Sequence, residues 1–222
     1  MLIRMATPLR RARDVLQTGG LIPLVRRGLL FMGRLFFQYE TYYLYEDSLA
    51  DARNVNEADY MPRIENLTWK VIYTNQEAGE MEAEGFEFRS KVPNAKKRLD
   101  KGAMAFCIFV GKELGSVGWA ATTQEAKDSL SEPPFVVGFS NNEACVGGLW
   151  TNPKYRRMGL RRYGSAKRRR FMLEKGIVRH RGAIPKWNIA SQRSVTFAPD
   201  IHGEGRYFRF LWWQSWKEKP LT

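Results

Sequence analysis

The hydrophobic pattern changes period several times along the chain, and each change predicts an element. Over residues 24–37, Leu24, Leu29, Phe31, Met32, Leu35 and Phe36 share one broad helical face while Arg26, Arg27 and Arg34 share the other, which predicts an amphipathic basic helix. A shorter helix precedes it, opened by Thr7-Pro8 and closed by Gly19-Gly20. Residues 39–45 are rich in tyrosine and predict a strand or a rigid edge. Residues 47–64 turn polar, include Pro62 and read as a linker. Period-two alternation returns at Trp69-Lys70-Val71-Ile72-Tyr73, a strand. Asn75 then stands as the cap of an acidic helix over residues 76–84, and a short helix over residues 94–101 follows.

Residues 104–110 are almost continuously apolar, turn at 111–115 and return over 116–122. Continuous apolarity implies burial on both faces, which puts this hairpin at the centre of a sheet. Residues 124–130 read as a short helix or loop that Pro133-Pro134 breaks, and residues 135–139 predict a short strand. Glu143 to Trp150 predict another strand, which runs into Thr151-Asn152-Pro153-Lys154-Tyr155-Arg156-Arg157-Met158-Gly159-Leu160-Arg161-Arg162. The helix that follows carries Leu160, Tyr163, Phe171 and Met172 as apolar anchors and stops at Gly176. Residues 177–183 predict a strand ended by Pro185, residues 188–197 a short helix capped by Asn188, residues 199–205 a loop, and residues 206–216 the last strand. The order strand, basic glycine turn, helix aims free N–H groups and a positive helix N-terminus at one spot, which suits a phosphate or pyrophosphate.

Composition adds bounds. At 222 residues, with 44% hydrophobic and 13% aromatic content, the chain can bury a real core, which excludes wholesale disorder. The pattern divides it into an N-terminal amphipathic helical arm and linker, residues 1–64, and a mixed α/β domain, residues 65–222. Lys+Arg outnumber Asp+Glu 36 to 23, a formal charge of +13 that favours anionic partners. For the basic helix four partners stay open: the domain itself, a second copy in a homodimer, an anionic membrane surface, or nucleic acid. Nucleic acid is disfavoured because no binding motif accompanies the charge, and the run Lys167-Arg168-Arg169-Arg170 reads as a solvated helix face. Cys107 and Cys145 lie in apolar runs and predict buried free thiols; with only His180 and His202 to join them, no metal site is expected. His202, in a Gly-rich loop beside Asp200, is the better candidate of the two for an acceptor-side role, and His180 reads as structural. No stretch has the length of a membrane span or the form of a secretory signal, so the expected location is cytoplasmic, with peripheral membrane contact through the basic helix left open.

From Trp69 onward, the element order and the glycine turn together resemble the GNAT (GCN5-related N-acetyltransferase) superfamily over residues 69–216. The family's acyl-CoA motif is Gln/Arg-x-x-Gly-x-Gly/Ala after a strand ending in a Pro-containing turn. Asn152-Pro153-Lys154-Tyr155-Arg156-Arg157-Met158-Gly159-Leu160-Arg161 matches the Pro, the aromatic, the first Arg and the first Gly, and departs at the last position, where Arg161 replaces Gly or Ala. The resemblance implies a mostly antiparallel sheet, flanked by helices, that splays open beside the motif strand to admit the pantetheine arm of acetyl-CoA. Leu149 and Thr151 would run along that arm. Arg156, Arg157, Met158, Gly159, Leu160, Arg161 and Arg162 would face the pyrophosphate, with Asn188 and Ser191 lining the later part of the site. It further implies direct attack by a primary amine on the thioester, with Glu143 as base. No Tyr occurs between Asn188 and Phe197, so the family's usual acid has no counterpart there.

Two functions of different classes follow. One is an N-acetyltransferase using acetyl-CoA, without a metal, on a small amine, an amino sugar or a protein amine. The other is a non-catalytic basic module for a membrane surface or nucleic acid, whose binding would be steeply salt-dependent and indifferent to CoA.

Overall fold

The computed structural model describes residues 37–130, 133–193, 195 and 200–221. The two predicted N-terminal helices lie outside them. The described residues are mixed α/β, built on an open, mostly antiparallel sheet of eight strands in the order β2-β3-β4-β5-β6-β1-β7-β8. The strands are β1 (Phe37–Ser48), β2 (Leu67–Ile72), β3 (Met104–Val110), β4 (Glu113–Ala121), β5 (Glu143–Thr151), β6 (Arg179–Pro185), β7 (Asp200–Phe210) and β8 (Trp213–Pro220). The helices are α1 (Asn75–Ala83), α2 (Ala95–Asp100), α3 (Gln124–Ser129), α4 (Leu160–Glu174) and α5 (Ile189–Arg193).

The chain divides into two compact units. The larger comprises residues 42–205 and 218–222 and contains everything described below about the site. The smaller includes residues 37–41 and 206–217, where Phe208 meets Phe37 edge-on at 5.5 Å and Trp213 at 5.1 Å.

The apolar run predicted as a central hairpin is β3 and β4, and both are buried along almost their whole length. Helix α4 packs across them and gathers the core. Leu160 and Tyr163 meet Ile108 and Tyr155 in one cluster, and Met172 joins Phe106, Ala120, Ala144, Leu49 and Ala52 in another. Each fully buried Leu or Ile contributes about 1.5–3 kcal/mol relative to exposure. Cys107 and Cys145 are buried, and neither forms a disulfide among the described residues, as expected.

Four expectations change. Thr74, not Asn75, caps α1: its hydroxyl accepts from Glu77 N at 3.1 Å while the Glu77 carboxylate accepts from Thr74 N at 3.3 Å, a reciprocal capping box. Residues 135–139 form no strand. Their alternation is real, with Phe135 and Val137 buried and Val136 exposed, but Phe135 N and Phe139 N bond carbonyls two residues back, so no ladder forms. Residues 200–205 are strand rather than loop, and the single last strand expected over 206–216 is the β7–β8 hairpin. The stretch read as a linker supplies the end of β1, the buried Leu49 and Ala52, and a buried carboxylate, Asp47.

Candidate active site

Strands β5 and β6 run parallel but pair only through Glu143–Cys145 and Arg179–Arg181. On its other edge β6 pairs with β1 along its whole length, from Tyr42↔Pro185 to Ser48↔Arg179. On its other side, β5 slips one residue in register against β4, between Val117↔Trp150 and Trp119↔Gly147. That slip is a bulge, which bends a strand and increases its twist. The two strands therefore part, and between them opens a cavity of about 350 Å³. Val146, Gly147, Gly148 and Leu149 line one side and Gly182 to Pro185 the other, with the inner face of α4 as a wall. Beyond Cys145, this edge of β5 has no strand partner among the described residues, so its backbone groups are open to a ligand that can hydrogen-bond as an amide does.

The turn after β5 is anchored by one carboxylate. Glu113 accepts from Tyr155 Oη at 2.6 Å, Lys154 Nζ at 2.8 Å and Asn152 Nδ2 at 3.1 Å. The lysine and tyrosine contacts hold its carboxyl down at about 2. Past this clamp, Arg157 (φ 65) and Gly159 (φ 85) both take left-handed backbone, a conformation glycine adopts without steric cost. Gly159 offers α4 no side-chain cap, and the first N–H taken up is that of Tyr163, by Gly159 O at 3.1 Å. The amides of Leu160, Arg161 and Arg162 have no acceptor among the described residues, which leaves a positive helix end surrounded by arginines.

Farther along α4, positions i, i+4, i+7 and i+8 bring Arg161, Ser165, Arg168 and Arg169 to the cavity wall. Arg169 is tied down. Its Nη1 donates to both Asp47 oxygens at 2.6 and 2.7 Å, and its Nη2 to Ser48 O at 3.0 Å and Asp51 at 2.5 Å. His180 Nε2 lies 3.2 Å from an Asp47 oxygen. Burial pushes the Asp47 carboxyl up to about 6, outweighing Arg169. Burial, then Arg168 and Arg169, push the His180 imidazole well below its ordinary 6.5, so it is neutral at physiological pH. His180 Nδ1 is buried and has no hydrogen-bond partner among the described residues.

The residues expected from sequence divide between the two ends of this site. Leu149, Arg161, Asn188 and Ser191 line the cavity, and Asn188 Oδ1 accepts from Ser191 N at 3.1 Å. Thr151 lines a smaller adjoining hollow with Arg161, Ser165 and Arg168. Arg156, Arg157, Met158 and Arg162 are exposed around Gly159 at the turn, with Arg162 lying 5.4 Å over the Tyr60 ring. The Leu160 side chain belongs to the core. Glu143 is not in the cavity wall; it is buried and held by Gly138 N at 2.8 Å, Arg181 at 3.1 Å and Arg179 at 3.4 Å. His180, Asp47, Ser165 and Arg168 were not singled out from sequence. The spacing of Arg161, Ser165 and Arg168 on one helical face was a usable signal, whereas nothing local marked Asp47.

No family model and no curated protein matches this chain. Among solved structures it is similar to a Drosophila protein at 13% identity (TM-score 0.45, 83% of this chain and 56% of that one). It is also similar to a GCN5-related N-acetyltransferase from Kribbella flavida at 14% (0.40, 71% and 54%). A third, a GCN5-related N-acetyltransferase from Sphaerobacter thermophilus, matches at 8% (0.43, 91% and 58%). The chain thus spans a little over half the length of each. With TM-scores below 0.5, these likenesses bear on neither fold nor chemistry, which rest on the strand order and side-chain geometry above.

Proposed function

We propose that the protein is an N-acyltransferase that moves an acyl group from acyl-CoA, acetyl-CoA in the simplest case, to a primary amine. The observation that carries this reading is the parting of β5 and β6 beside a bulge, with an uncapped, arginine-rich helix N-terminus next in the chain. The amide-like pantetheine arm fits the open edge of β5, and the pyrophosphate fits the amides of Leu160 to Arg162 with the side chains of Arg156, Arg157 and Arg162 around them.

His180 is the base in this reading. Its neutral imidazole accepts at Nδ1 the proton released as the amine nitrogen bonds the thioester carbon, and Asp47 orients the ring and stabilises the imidazolium. Tyr45, on the cavity wall, is kept protonated by burial and supplies a proton to the departing thiolate. The C–S bond breaks as the C–N bond forms, and no metal is needed.

Calorimetric titration with acetyl-CoA tests the reading. The native chain is expected to bind, and the double variant Arg156→Glu/Arg157→Glu, altered only at exposed positions, to bind at least about tenfold more weakly through lost phosphate contacts. No heat with either acetyl-CoA or free CoA for the native chain overturns it.

A further inference from the structure

Arg168 is a fully buried cavity-wall cation with no counter-ion of its own among the described residues. It is 5% exposed, its Nε is buried without a partner, and its guanidinium has no hydrogen bond or ion pair among the described residues. Its neighbour Arg169, equally buried, is saturated by Asp47, Asp51 and Ser48. The nearby carboxylate is therefore already committed. Burial, reinforced by Arg161 and Arg169, lowers the Arg168 guanidinium to about 10, which still leaves it charged at neutral pH. Arg161, seven residues back on the same face, has no hydrogen bond or ion pair among the described residues either and is likewise depressed by burial. Space is kept for the group: a Cβ on Gly118 would lie 2.6 Å from Arg168 Nη1, so only glycine lets the guanidinium rest on β4 opposite the bulge. Both arginines and Ser165 line the main cavity and the adjoining hollow.

We propose that Arg168, with Arg161 and Ser165, is a carboxylate subsite at the inner end of the cavity, so that one of the two substrates carries a carboxylate close to its reacting atom. The inference rests on the acyltransferase reading for which substrate is concerned, but not for the existence of the subsite. The CoA phosphates are not the anion in question. They belong to the helix N-terminus, and Arg168 lies two turns further, about 10 Å along the axis, beside the strand bulge where the arm of the donor ends. A planar guanidinium fork matches a carboxylate in two parallel hydrogen bonds, with the Ser165 hydroxyl as a further donor. The carboxylate has two sources: the far end of a dicarboxylic acyl group, or an acceptor of the amino-acid type.

The test compares the native chain with Arg168→Gln. Unfolding is measured first. Removing a buried unpaired charge is expected to leave the melting temperature unchanged or raised, whereas a fall of more than about 5 °C marks Arg168 as structural and overturns the proposal. Succinate is then added to each protein. It is expected to raise the melting temperature of the native chain and not of R168Q; equal effects, or none, overturn the proposal. This arm needs no CoA and stands even if acetyl-CoA does not bind, so failure of the subsite and failure of the acyltransferase reading are separable.

Two further arms identify the source. If it is the donor, succinyl-CoA binds the native chain at least tenfold tighter than acetyl-CoA, and the advantage disappears in R168Q. If it is the acceptor, kcat/KM with acetyl-CoA favours an amino acid over its decarboxylated amine at least tenfold, and R168Q abolishes that preference alone. A native chain that binds and uses acetyl-CoA but shows neither preference contradicts the proposal.

Discussion

The two ends of the cleft are both built from charges, and they hold them differently. At the outer turn, Lys154, Arg156, Arg157 and Arg162 are exposed, and Glu113 gathers Asn152, Lys154 and Tyr155. On the inner wall, Asp47, Arg168 and Arg169 are buried and His180 is nearly so. Water and salt screen the outer set, so each pair there is worth little. The inner set has lost its hydration, so every unpaired group there is costly and every pair is hard to break. The outer turn thus suits a mobile polyanion, and the inner wall suits chemistry that needs a proton held at one atom.

The largest effect is expected from Asp47→Ala, which leaves the buried Arg169 without its main counter-ion and His180 without its orienting partner. Urea unfolding should show a loss of about 3–5 kcal/mol; a loss under 1 kcal/mol would mean that the inner charges are hydrated after all. Next comes His180→Gln, which keeps a donor toward Asp47 and removes the base. Acetyl-CoA affinity should be unchanged and turnover should fall about a hundredfold or more. A variant that keeps its rate would remove His180 from the mechanism. The depressed imidazole gives this prediction a pH form. Because the folded value lies below 6.5, the stabilising contribution of neutral His180 is present above 6.5 and is lost as pH falls below it, and the base stays deprotonated in the folded protein to well below 6.5. The kcat/KM profile, corrected for ionisation of the acceptor, should accordingly show no fall from His180 itself near 6.5, and bend only near pH 6, where Asp47 takes up a proton.

Glu113 gives the smallest effect and the opposite setting. Its folded value of about 2 lies below the ordinary 4.5, so the stabilising contribution of the clamp is fully present above 4.5 and is lost as pH falls toward 2, while the folded protein keeps the carboxylate ionised through pH 3. Glu113→Gln should weaken acetyl-CoA binding only a few-fold at pH 7, and in urea unfolding it should remove part of the loss of stability between pH 4.5 and 3. An unchanged stability profile would mean that the clamp does not hold the turn.

What could be read in the sequence follows the same division. The outer end is local: the strand into Asn152-Pro153, the glycine and the helix beginning at Leu160 are contiguous, and each has its own signal. So are the β3–β4 hairpin and the helix caps, apart from the one-residue slip from Thr74 to Asn75. The inner wall is assembled from afar. Asp47 lies 133 residues from His180 and 122 from Arg169. It sits at the end of β1 in a stretch whose polarity reads as a linker, and nothing in a period-two or period-3.6 pattern says that β1 enters the sheet beside β6. Lys167 to Arg170 read as one solvated face because charge alone hides which residues the helix turns inward; Arg168 and Arg169 are buried. Gly203 and Gly205 made a strand look like a loop. At Gly203 the glycine admits the neighbouring backbone, since a Cβ there would sit 3.0 Å from Lys219 O.

The central claim is that the donor lies along the open edge of β5 and ends on the N-terminus of α4. Amide hydrogen exchange with and without acetyl-CoA tests it most directly. The account predicts new protection confined to β5 around Val146 to Leu149 and to the amides of Leu160, Arg161 and Arg162. Binding that leaves these amides unprotected, or protects a different surface, would contradict it.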